Sequence, residues 1–213
     1  MKVSKWLAVI PPYLAVWTGM VIFHSAWGAL LGFHGAILFS IFITRPAESI
    51  ASLFKSKLIQ KQANTTLSNI IIGGFILCAT CGISLYNLRF ILGMTPTLAS
   101  QLAVFGLTHS TLPAFMTYFS LVNPLLEEYF WRIHLGSDIK GFYIGDLAYA
   151  GYHVILLVNI IPALSILFCI VCLTAIGWYW RQISREDSGS FTSVLGHMAA
   201  DFSILMAVYF LIN

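Results

Sequence analysis

Apolar residues run along this chain in long blocks separated by short polar interruptions, without the roughly ten-residue alternation of a barrel strand. Residues 6–44, 62–88, 90–126 and 147–180 carry no Asp, Glu, Lys or Arg. A helix needs about 20 apolar residues to cross a bilayer, so the longest block holds two passes or a pass plus a re-entrant piece. Lipid demands backbones that satisfy their own hydrogen bonds, which selects helices here. The pattern predicts an all-α, polytopic integral membrane helical bundle of about seven spans, within a range of six to eight. The spans fall near 6–23, 25–44, 67–88, 111–131, 144–160, 162–180 and 191–212. Pro96, Gln101 and the stretch Thr108–Pro113 interrupt 90–110, which reads as an interfacial or re-entrant prelude to the fourth span. A full crossing there would make eight. The polar stretch 45–66, RPAESIASLFKSKLIQKQANTT, reads as a basic amphipathic helix lying on the membrane surface.

Composition agrees with this reading. The 213 residues are 59% hydrophobic and 9% charged, with a mean hydropathy of +0.86; a soluble domain carries about a quarter charged residues. The N-terminus, MKVSKWLAVIPPYLAVW, is basic and then apolar like a secretory signal, but it lacks a small-x-small cleavage site and reads as a retained first helix. With the N-terminus in the cytoplasm, seven spans leave Lys2, Lys5, Arg45, Lys55, Lys57, Lys61, Arg132, Lys140, Arg181 and Arg185 inside and only Arg89 outside. Topology therefore accounts for the net charge of +3, and no nucleic-acid partner is expected. The Asn64-Thr65-Thr66 sequon is cytoplasmic and silent on this topology. Trp6, Trp27, Trp131, Trp178 and Trp180 fall near span ends, as an interfacial belt would. Small size and the lack of an appended soluble domain point to a prokaryotic cell membrane. Cys78, Cys81, Cys169 and Cys172 form two CxxC pairs, but inside apolar runs they read as small hydrophobes rather than a metal or disulfide framework.

Ionisable residues deep in a span are costly and mark candidate function. Three constellations place polar residues four apart, on one helical face. The first is Glu127-Glu128-Tyr129-Phe130-Trp131-Arg132. Glu128 and Arg132 make an acid-first i,i+4 pair, while Glu127 points about 100° away with no basic partner at that spacing. The second is Tyr149-Ala150-Gly151-Tyr152-His153 and the third His197-Met198-Ala199-Ala200-Asp201, where a carboxylate is placed to orient an imidazole. Taking Arg132, Asp146 and Asp187 as interface markers, a rise of ~1.5 Å per residue puts Glu127 ~7 Å, His153 ~10 Å and His197 at most ~15 Å deep, all from the same side. Alone, the first also fits a helix-end ion pair at the interface, the second a packed, hydrogen-bonded histidine and the third a buried structural pair; the common depth favours one joint site.

These three motifs, EEYFWR at 127–132, YAGYH at 149–153 and HMAAD at 197–201, resemble the ordered EExxxR, FxxxH and HxxxN or HxxxD motifs of the CPBP family, which includes CAAX-processing endopeptidases and bacteriocin-processing relatives. The resemblance covers residues 105–213, a CPBP-like catalytic helical core; residues 1–104 match only as N-terminal transmembrane helices with the basic cytoplasmic loop at 45–66. It implies an intramembrane glutamic-type endopeptidase that needs no cofactor or metal, with an active-site opening on the cytoplasmic side. The expected substrate is a membrane-embedded or membrane-anchored protein or peptide, lipid-modified or not. Glu127 would activate a water positioned by His153, and His197, with Asp201 behind it, would stabilise the oxyanion. Glu128, Arg132 and Tyr149 would support them. Tyr149 stands where Phe is usual, and Asp201 where Asn is common. An Asn amide can donate to an oxyanion and an ionised Asp cannot, so either Asp201 is protonated or it holds His197, which then donates alone. A metal-dependent variant, a catalytically silent scaffold or chaperone, and a proton-coupled transporter are the competing classes. HExxH and the paired YD and GxGD motifs are absent from the sequence.

Overall fold

The computed structural model describes residues 5–45, 49–94 and 96–213. The chain opens in 3-10 turns over Lys5–Val9, becomes α1 (Ile10–Trp17) and widens into a π-turn at Thr18–Ile22. Then come α2 (Ala26–Thr44), α3 (Thr65–Leu88), a short α4 (Leu98–Val104) and α5 (Leu112–Glu127), which continues as a π-helix over Glu128–His134. α6 (Ile144–Gly151) and α7 (His153–Leu157) are halves of one rod jointed at Tyr152, and α8 (Ala163–Glu186) and α9 (Phe191–Leu211) complete the bundle. There is no strand among the described residues. Side-chain caps start two of the long helices: Ser25 Oγ accepts the Gly28 N–H at 3.0 Å and Asn64 Oδ1 accepts that of Leu67 at 2.8 Å.

Four helices, α2, α3, α8 and α9, are long and apolar enough to cross a membrane; Trp6–Ile22 and Ile144–Leu157 are apolar but shorter. α4 has seven residues and rises only about 10 Å, a third of a bilayer core. Contacts fix the relative directions. α1 and α2 are antiparallel, with Gly19 against Ala29 at one end and Ser40 donating to the Ala8 carbonyl at the other. α6 and α8 are antiparallel through the Asp146–Arg181 pair and the Tyr149–Gly177 contact. α3 and α9 run parallel, joined where the Ser203 hydroxyl accepts the Gly82 N–H at 3.1 Å. α5 and α9 are antiparallel, with His197 beside Glu127 and Tyr209 bonded to His109.

The approach at Gly82 admits no side chain: a Cβ there would lie 1.8 Å from the Ser203 carbonyl oxygen. Gly82→Ala is therefore expected to push α3 off α9 and cost about 1–3 kcal/mol, read as a lowered unfolding midpoint of the purified protein. A midpoint equal to wild type would mean the two helices separate freely.

Two expectations are corrected. Residues 45–66 do not form an amphipathic helix: the described part makes one 3-10 turn, Ile50–Phe54, followed by tight turns. Its backbone donors are spent elsewhere. Lys57 N–H goes to the Asp187 carbonyl at 3.1 Å, Leu58 N–H to Asp187 Oδ1 at 3.2 Å, and Lys61 adopts φ +56°, so no i→i−4 ladder can run through. Residues 46–48 of that stretch lie outside the described residues, as does Lys2. The proposed aromatic belt also loses two members. Trp131 and Trp180 are 2% and 3% exposed; they line the bundle interior, Trp131 stacked on Tyr152 and Trp180 on His197.

Candidate active site

The acidic pair sits where α5 changes its winding. Pro124 interrupts the helix from within, removing one backbone donor, and four residues later the chain adopts the wider π form over Glu128–His134. Such insertions re-aim side chains and recur at functional sites. Here Glu127 and Glu128 both reach one imidazole, although an α-helix would point them about 100° apart. The tight turn that follows brings Gly136 so close to Arg132 that a Cβ would meet its carbonyl oxygen at 1.9 Å.

His197, on α9, is the hub. Its Nδ1 lies 3.1 Å from Glu128 Oε1, and its Nε2 lies 3.4 Å from Glu127 Oε2 and 3.6 Å from Asp201 Oδ1. The ring is held flat against Trp180, with centroids 4.4 Å apart and planes inclined by 24°. Glu128 also faces Arg132, Oε2 to Nε at 3.5 Å, and the Arg132 guanidinium lies 4.3 Å above the Tyr149 ring, a cation–π contact. Glu127 and Glu128 are both fully buried. Of the residues singled out in the sequence, Glu127, Glu128, Arg132, Tyr149, His197 and Asp201 thus form one connected cluster.

His153 stands beside the cluster rather than in it. No hydrogen bond or ion pair joins it to either glutamate among the described residues. Its Nδ1 faces the Ala150 carbonyl at 3.2 Å, which assigns the proton to Nδ1 and leaves Nε2 as an acceptor. Its ring stacks on Tyr152 at 4.1 Å between centroids. The residue of this motif that touches Glu127 is Tyr152, whose buried hydroxyl donates to Glu127 Oε1. Tyr152 lies inside the YAGYH run and is the one residue between α6 and α7, but in sequence a tyrosine in an apolar span carries no charge to draw notice. Asn123, with His34 behind it, was likewise missed; it lies four residues before Glu127 on the same helical face.

The depth markers are themselves interior: Asp146 and Asp187 are fully buried and Arg132 nearly so. Buried polar atoms without a hydrogen-bond partner gather around the hub, namely Glu127 Oε2, Glu128 Oε2, Arg132 Nε and Nη2, and Asp201 Oδ2. Natural interiors rarely leave such atoms unpaired, so the cluster holds unspent capacity to bind a polar group. A cavity of about 370 Å³ opens at the end of the bundle where the 49–64 loop packs, lined by Ser52, Arg132, Ser137, Arg181 and Ser190 among others. It meets the cluster at Arg132. No group of three or more His, Cys, Asp or Glu among the described residues is arranged to hold a metal ion. The four cysteines are free thiols.

Comparison of the chain with protein-family models, with curated proteins and with solved structures finds no match in any of the three.

Proposed function

We propose that the chain is an intramembrane endopeptidase of the glutamic type, which cuts a peptide bond of a membrane-associated or lipid-modified protein with water activated by Glu127. The observation that carries this reading is the convergence of two buried glutamates, a histidine and an aspartate, from α5 and α9, around polar atoms that lack partners. The resemblance of the three ordered motifs to the CPBP family adds to it. In this mechanism Tyr152 occupies Glu127 Oε1 and leaves Oε2 to take a proton from water. His153 Nε2, as an acceptor, helps orient that water. The new C–O bond forms as the water proton passes to Glu127; the C–N bond then breaks as Glu127 returns the proton to the leaving amine. His197 Nε2–H lies loosely between Glu127 and Asp201 and turns to the tetrahedral oxyanion.

The accompanying topology has seven passes, counting α1, the α5 rod and the α6–α7 rod, with the N-terminus and the cavity at Arg132 on the cytoplasmic side of a prokaryotic cell membrane. Two findings support it. The helix directions alternate along the chain, and the loop carrying Lys55, Lys57 and Lys61 packs against the Glu186–Asp187 end, opposite the α3 end that bears Arg89. The test is a comparison of peptides in membranes containing wild-type protein or Glu127→Gln. Uncut substrate should accumulate only with the variant. A scaffold or a proton-coupled transporter instead predicts identical peptide patterns. Tyr152→Phe gives a graded check: losing one donor to Glu127 should slow turnover about tenfold, the equivalent of one hydrogen bond, in initial-rate measurements. An unchanged rate would remove Tyr152 from the mechanism.

A further inference from the structure

Behind Asp201 a line of buried polar side chains leaves the cluster and crosses into α2. The Asn123 side chain faces the Asp201 carboxylate. Asn123 Oδ1 lies 3.1 Å from His34 Nε2, and His34 Nδ1 lies 3.3 Å from the Tyr118 hydroxyl. Asn123 and His34 are both buried. The chemistry of these groups gives the line one direction. A carboxylate accepts, so Asn123 turns its amide N–H toward Asp201 and its oxygen toward His34. That oxygen only accepts, so His34 carries its proton on Nε2. Nδ1 is then bare and receives the Tyr118 O–H. Every hydrogen in the line points toward Asp201.

We infer that Asn123 is a positioning residue, and that with His34 it holds Asp201 as an ionised carboxylate that fixes the His197 ring with both of its nitrogens protonated. Three carboxylates face that ring, at 3.1 Å from Nδ1 and 3.4 and 3.6 Å from Nε2, and ionised acceptors on both sides give each ring nitrogen a reason to carry a proton. Hydrogen bonds to the charged form of Asp201 favour that form. His197, rather than Asp201, is then the donor available to an oxyanion. Of a protonated and a holding aspartate, this role selects the latter, and it ties α2, outside the three motifs, to the chemistry. Where it concerns rates, this role rests on the peptidase reading.

The kinetic arm compares Asn123→Leu, His34→Leu and His34→Gln, the last of which keeps an N–H at the Nε2 position. Asn123→Leu should lower kcat by about 10–100-fold, the usual cost of removing such a support, with KM within about twofold. His34→Leu should lower kcat by about tenfold on the same basis, and His34→Gln should restore most of it. The second arm needs no turnover: nitrogen NMR of histidine-labelled protein in lipid nanodiscs, with His197 assigned by His197→Gln. Wild type should show His197 with two protonated ring nitrogens, and Asn123→Leu should show a bare one. An unchanged His197 signal together with unchanged kcat in Asn123→Leu overturns the role, as does failure of His34→Gln to exceed His34→Leu. Loss of the peptidase reading itself appears separately, as turnover that survives Glu127→Gln, while the NMR arm still reads the line.

Discussion

Glu127→Gln is expected to yield a folded protein whose turnover is lower by about 10³-fold, within the range a general base supplies. The substitution is nearly isosteric. The amide oxygen still accepts the Tyr152 hydroxyl, so the position of the side chain is kept while its basicity is lost. Glu128 offers the contrast. It faces both His197 Nδ1 and Arg132 Nε, and neutralising it leaves a buried guanidinium without its carboxylate. Glu128→Gln should therefore lower the unfolding midpoint more than Glu127→Gln does. Parallel rate and melting measurements on the two variants separate base from brace. Turnover retained in Glu127→Gln would remove Glu127 from the chemistry, and equal melting of the two variants would remove the distinction.

The second large effect is expected in stability, at Arg181. This guanidinium is buried and its donors are fully used. Nε and Nη2 bond the two carboxylate oxygens of Asp146 at 2.9 and 2.8 Å. Nη1 donates to the carbonyls of Ser137, at 3.1 Å, and of Ile139, and Nη2 reaches Gly141 at 2.7 Å. One side chain thus folds the 137–141 loop and fastens it to α6 and α8. Arg181→Met strips partners from a buried carboxylate and three carbonyls, and should cost about 3–5 kcal/mol of stability, read by denaturation of the purified protein. Arg181→Lys should not rescue it, because a single ammonium cannot reproduce the planar fork. Adding Asp146→Leu should recover only part, since Asp146 Oδ2 also accepts the Tyr143 N–H that starts α6, at 2.9 Å. A loss below about 1 kcal/mol, the scale of a surface pair, would show that the network is not a structural pin.

The helices were largely legible because charge-free blocks of span length have few folds open to them. Ala26–Thr44 and Thr65–Leu88 begin and end within two residues of the runs that predict them. Which face of each helix is inside was not legible. Lipid is as apolar as a protein core, so burial leaves little imprint on residue type: Phe130 is 0% exposed and Phe42 is 74%. For the same reason tryptophans at span ends look interfacial whether or not they are, and Trp131 and Trp180 turned inward. The acidic pair and the two histidine motifs stood out because charge in a span is rare. Their uncharged companions did not. Tyr152 and Asn123 are ordinary polar residues in sequence, and only the packing of α5 against the α6–α7 rod, α9 and α2 shows what each of them meets. The π winding at Glu128–His134 was also hidden, since its origin lies in how Pro124 and the Gly136 turn are accommodated in three dimensions. The loop at 45–66 failed for a related reason: its hydrophobic spacing suited a helix, but Asp187, some 130 residues on, claims its backbone.

His197 touches three acids through two nitrogens, and that sharing couples the cluster's members to one another. Groups this close exchange protons as a set, so a pH midpoint measured for turnover belongs to the cluster and has no single owner. Substitutions inside it should also refuse to add. Removing His197 after Asp201, or Asp201 after Glu127, should cost much less than the separate losses sum to, because each first removal already releases what the second would take.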